Sequence, residues 1–207
     1  SMLLASFLVA MVFKMFLSMA QDMEQNFAHK TVAEQMSMVA HAVRGYMEAN
    51  NGTLVRDPAV LTTPATSLTL NLSDAATRTL LLPYFPAGMT VTSMPQHNIW
   101  GDGYRVVFVR SEDPGGNPVL DTVTGYLYTV PHGAFNKKNR TAGTVKGDKF
   151  LRLEQKQIVA RGGATFGWTE TAGTLQGLTW RVAGLPGLLP GYLGCIIGFG
   201  DKAESLT

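Results

Sequence analysis

The sequence predicts an α+β protein in which one long N-terminal α-helix, about 50 residues, packs on an antiparallel β-sheet head. Three observations carry this. Residues 1–20 read SMLLASFLVAMVFKMFLSMA, an apolar run with Lys14 as its only charge. From Gln21 to Asn50 there is no proline, Gly45 is the only glycine, and apolar residues keep helical spacing. Beyond Gly52, short apolar segments alternate with turns rich in glycine and proline.

Composition narrows the class. A chain of 207 residues can bury one ordinary core. Apolar residues make up 45% and charged residues 15%, which argues against intrinsic disorder. A net charge of +2 is too small for a nucleic-acid binder. With Cys195 alone, neither an intrachain disulfide nor a cysteine-rich zinc site is possible. Eight of the ten methionines fall within the first 47 residues, where a flexible, polarizable side chain suits packing against several partners.

The first segment cannot lie in water. Residues 2–13 hold nine large apolar side chains, whose burial is worth on the order of 15–25 kcal/mol. A secretory signal peptide would place basic residues before the run and a cleavage site after it. Here the run starts at Met2 and the helix continues, with Phe27, Val32, Met36, Val39, Val43, Tyr46 and Met47 forming a one-sided stripe. Asn50-Asn51-Gly52 is the expected stop. An ordinary signal anchor accounts for the apolar run but not for the uninterrupted continuation.

In the head, Ser67–Leu72 alternates as a short strand, and Ser73 is placed to cap a short helix through Leu82 that Pro83 ends. Tyr104–Arg110 and Thr124–Val130 read as hairpin strands around the loop Ser111–Pro118. Asp148 is placed to cap a helix over Lys149–Arg161, with Gly162-Gly163 as its stop. Leu178–Val182 and Tyr192–Phe199 read as the last strands. His132–Lys146 is a loop with four basic residues and no acid.

The long helix with an all-apolar first half resembles the type IV pilin family. Two stretches of the head, LPYFPAGMTVTSMPQHNIWGDGYRVVFV and LLPGYLGCIIGFG, resemble the shufflon-type (type IVb) pilins of conjugative pilus systems. The resemblance covers the first helix and about a third of the head. It implies a processed N-terminus at Ser1, cut by a prepilin peptidase, and an inner-membrane anchor before assembly. It also implies transfer by pilus assembly machinery into an extracellular filament, a helical homopolymer. Residues 1–25 would be the membrane and filament-core half of the helix, and 26–207 the pilin head. Core packing would fall to Leu3, Leu4, Phe7, Leu8, Met11, Val12, Phe13 and Phe16.

Two departures stand out. The family's glutamate at the fifth position is replaced by Ala5, and no acid precedes Asp22, so that role cannot be carried over. Shufflon-type pilins continue into an adhesive tip, whereas this sequence ends at Thr207, soon after the last strand. The first departure favours a tip or minor subunit and the second a shaft subunit; a membrane-anchored adhesin that never polymerises is the rival of another class.

Lys14 is the unusual residue. A lysine deep in an apolar helix costs about 2.5–3.5 kcal/mol on insertion scales unless it snorkels. Asp22 or Glu24 of a neighbouring copy, or a retained phospholipid headgroup, are the expected alternatives to snorkelling. No cofactor or metal is expected, because the four histidines show no ligand spacing with Cys or acids. Neither a phosphate loop nor a nucleophile motif is present, and Cys195 reads as an inert core thiol.

Overall fold

The computed structural model describes residues 2–117, 121–130 and 156–198, with side chains described from Val9 onward. The chain is α+β, a long N-terminal helix against a curled antiparallel sheet. Helix α1 (Met2–Arg56) is continuous over 55 residues. It is followed by β1 (Leu68–Asn71), α2 (Ala75–Leu81), β2 (Gly103–Ser111) and β3 (Thr122–Val130). A short helix α3 over residues 156–162 precedes β4 (Phe166–Trp168), β5 (Leu175–Gln176), β6 (Arg181–Val182) and β7 (Leu193–Ile197).

The seven strands run in the order β1-β2-β3-β7-β4-β5-β6, and each neighbouring pair is antiparallel. The β2–β3 hairpin is the longest ladder, with Val107 opposite Tyr126. Both of its faces are covered, so its strands read as nearly continuous apolar runs. On β2, Tyr104, Val106 and Phe108 join the core beneath α1. The alternate residues Val107 and Val109 join a second core with Leu175, Leu185, Leu188 and Tyr192. The period of two is what lets one strand serve two cores.

From Val32 to Leu54, helix α1 presents Val32, Met36, Val39, Val43, Met47 and Leu54 to the first core, all essentially inaccessible to solvent. The helix comes close to the sheet at Gly125, where an added Cβ would lie 2.9 Å from the Met47 sulfur. A side chain there would lift the helix off the strand.

Several expectations are corrected. Asn50-Asn51-Gly52 does not stop the helix. Leu54 continues its buried stripe, and the Asn50 amide donates to Tyr46 O and Tyr84 Oη, so packing outweighs the local turn preference. The helix ends at Arg56, just before Asp57-Pro58, where the proline disfavours helical backbone at the preceding residue. The Arg110 guanidinium donates to Val55 O in its last turn.

The N-cap position of α2 is Asp74, not Ser73, and the helix gives way at Leu82 to a 3₁₀ turn containing Pro83. The carbonyls of Leu72 and Ser73 instead accept from the guanidinium of the buried Arg78. Leu178–Trp180 is not strand: Gly177 N–H donates to Trp180 O across a tight turn, leaving only Arg181–Val182 extended. Strands β4 and β5, three and two residues long, were not expected. Gly163, with φ +85°, ends α3 by donating to Val159 O. Asp148, residues 149–155, His132–Lys146, Pro118 and Phe199 lie outside the described residues.

Two substitutions test this packing. Met36→Ala should cost about 2–5 kcal/mol by opening a cavity, and Gly125→Val about 1–3 kcal/mol by overpacking against Met47. Urea unfolding of the detergent-solubilised protein would read both as lowered midpoints.

Candidate functional site: an uncovered apolar helix

The head covers α1 only from Ala28 onward. Every residue from 9 to 27 is exposed, a rod of about 28 Å at 1.5 Å per residue. Its helicity follows from composition: no glycine or proline occurs before Gly45. Its surface does not suit water. Val9, Met11, Val12, Phe13, Met15, Phe16, Leu17, Met19, Met23 and Phe27 are all exposed, with Phe27 at 72%.

Burying ten such side chains is worth on the order of 10 kcal/mol even if each is only partly covered. That is comparable with the whole net stability of a typical domain. A contiguous apolar surface of this kind marks an interaction site.

The base of this arm is held by two contacts. The Arg161 guanidinium of α3 donates to Asn26 O at 2.8 Å and to Asn26 Oδ1 at 2.7 Å. One turn further, the buried His29 ring meets Trp100 edge to face, with centroids 6.1 Å apart. Trp100 stands in a loop that the buried Asn98 organises, its Oδ1 accepting from Trp100 N and Asp102 N. Tyr104 Oη then donates to Gln35 Oε1 at 3.3 Å. The sequence reading assigned no role to Arg161, Asn26 or Trp100, since each pairs across more than 65 residues or lies in irregular chain.

Of the expected core-packing residues, Met11, Val12, Phe13 and Phe16 all lie on the uncovered arm. Leu3, Leu4, Phe7 and Leu8 have helical backbone, but their side chains and the whole of Ser1 lie outside the described residues. Phe27 is corrected: it belongs to the bare arm rather than to the packed stripe, because the head does not reach past Ala28. Met15, Leu17, Met19 and Met23 extend the site beyond the residues singled out from sequence.

The charges divide in the same way. Lys30–Glu34 and Arg44–Glu48 pair one turn apart on the covered half. Lys14, Asp22 and Glu24 are exposed on the arm, and the helix does not bring them together: eight and ten residues correspond to about 12 and 15 Å of rise.

Among the described residues no helix is long and apolar enough to cross a membrane. The described apolar side chains start at Val9, and 9–20 rises only about 18 Å, against about 30 Å of hydrocarbon.

Among the described residues no group of three His, Cys, Asp or Glu could hold a metal ion. A shallow groove beside Lys30, Glu34, Ser37 and Arg161 offers only charges already engaged in the ion pair and the clamp. Cys195 is buried in β7, and desolvation pushes its thiol up from 9.0 to about 12. Burial also raises Tyr104, with the Asp102 charge adding to it. No family model, no curated protein and no solved structure matches the chain.

Two outcomes follow. Replacing Phe13 and Phe16 by Gln should leave the unfolding free energy of the head within about 0.5 kcal/mol, because both are exposed on the arm, away from the cores among the described residues of the head. The Cys195 thiol should resist maleimide in the native protein at pH 8 and react in denaturant. Its ionisation lies near pH 9 unfolded and near pH 12 folded, so the unfolded chain loses this proton first. Stability should therefore fall as pH rises through that window, and Cys195→Ala should remove part of the fall.

Proposed function

We propose that this chain is a structural subunit of a type IV pilus-like extracellular filament, assembling through its apolar N-terminal helix. The observation that carries this reading is the unbroken exposure of residues 9–27 with ten large apolar side chains. A helix bare on all sides needs more than one neighbour, and a bundle of identical arms supplies them. In this reading the fold is the pilin fold, with the covered half of α1 anchoring the head and the bare half forming the filament core.

The mechanism is a transfer between two apolar surroundings. The arm rests in the inner membrane after export, and the assembly machinery moves it into a bundle whose heads form the outer surface. Lipid and helix are equally apolar, so packing rather than hydrophobic transfer holds the bundle. Methionine suits this change of partners, since its flexible side chain repacks at low cost. Processing by a prepilin peptidase at Ser1 belongs to the same reading.

The test is electron microscopy of filaments sheared from cells making the protein, beside a deletion strain. Filaments dominated by this 22.4 kDa chain, and lost on its deletion, identify a shaft subunit. Filaments that persist unchanged without it point instead to a minor or tip subunit, or to a membrane-anchored binding module. Phe13→Gln with Phe16→Gln should lower filament yield at least tenfold while leaving the head folded.

A further inference from the structure

We propose that neighbouring copies in this filament pack parallel and axially staggered, with Lys14 of one arm set against the Asp22–Glu24 turn of the next. The inference rests on the filament reading above and names the register of its core.

Lys14, Asp22 and Glu24 are the only charged residues before Lys30, and all three are exposed. None has a partner available on its own helix. The positions three and four residues from Lys14 are Ala10, Met11, Leu17 and Ser18, and the two acids likewise lack a cation at those spacings. The covered half of α1 behaves differently, pairing Lys30 with Glu34 and Arg44 with Glu48. The arm alone separates its opposite charges by about 12–15 Å along the axis. A second parallel arm shifted by that distance brings them level.

Competing registers fail on physical grounds. Arms packed without a shift would place Lys14 beside Lys14 inside an apolar bundle, with no acid at that level. An antiparallel pair centred on Ser18 would match Lys14 with Asp22 twice, once in each direction, but it is a closed contact covering one stripe of each arm. The exposed apolar residues surround the arm: Met15 and Leu17, two residues apart, point about 160° from each other. Lys14 lies about 80° from the meridian of Asp22 on one side and about 80° from that of Glu24 on the other, so each contact joins two different patches of the same helix and the two acids face different neighbours. Such a contact is heterologous and propagates from copy to copy instead of closing.

Charge reversal and cross-linking test this in filaments of the full chain. Lys14→Glu alone, and Asp22→Lys with Glu24→Lys, should each reduce filament yield at least tenfold at unchanged membrane levels of the protein. The triple variant should recover at least half of the wild-type yield. Copies carrying Lys14→Cys mixed with copies carrying Asp22→Cys or Glu24→Cys should give disulfide dimers on oxidation, with buried Cys195 silent. Wild-type yield from Lys14→Glu, no recovery in the triple variant, dominant Lys14→Cys self-pairs, or dominant Ser18→Cys self-pairs would each overturn the register. In the first three of these cases the filament reading stands if wild-type filaments form; absence of wild-type filaments overturns both.

Discussion

The continuity of one backbone hydrogen-bond ladder governs the rest of this molecule. Helix α1 runs from Met2 to Arg56 without a break, and its two halves face unlike surroundings. The half from Ala28 onward is fixed by the sheet beneath it, by His29 against Trp100 and by the Arg161 clamp on Asn26. Among the described residues the other half has no such contacts, yet it inherits the direction of the first because the ladder is uninterrupted. Nucleating a helix is costly and extending one is not, so the packed half acts as the nucleus from which the bare half extends.

The sheet is organised to receive that helix. Its longest hairpin is sandwiched, one face against α1 and the other against the segment around Leu185, Leu188 and Tyr192. Gly125 removes the one side chain that would hold Met47 away from the strand. Arg110 closes the far end of the helix from the sheet side, and Arg78 gathers the carbonyls of the turn before α2. Rigidity in the head thus becomes rigidity at the arm's base.

Much of this was legible in the sequence, and for a common reason. The long helix, the β2–β3 hairpin and β7 are repeated patterns, and a pattern averages over local noise. Where a single turn residue was asked to decide, packing decided instead: Gly52 lies inside the helix because Leu54 has a core to enter. Strands β4 and β5 carry too few residues for any period to show. On the arm, the apolar character of Met11, Val12, Phe13 and Phe16 was plain, but where cover begins was not. That boundary is set by Arg161 and Trp100, which reach α1 across long stretches of chain. Phe27 has the spacing of a core residue and still lies beyond the head's edge.

The position of β7 bears on the order of events during synthesis. It lies between β3 and β4, so the middle of the sheet is filled by residues 193–197, the last of the seven strands in chain order. The hairpin β2–β3 must wait with one edge open until then. The apolar arm is made before the strands, and at about 5–20 residues per second it precedes β7 by roughly 10–35 s. For that interval the nascent chain carries both a bare helix and an unpaired strand edge, two surfaces prone to wrong association. A chain built in this order carries its apolar arm before the head exists to be folded.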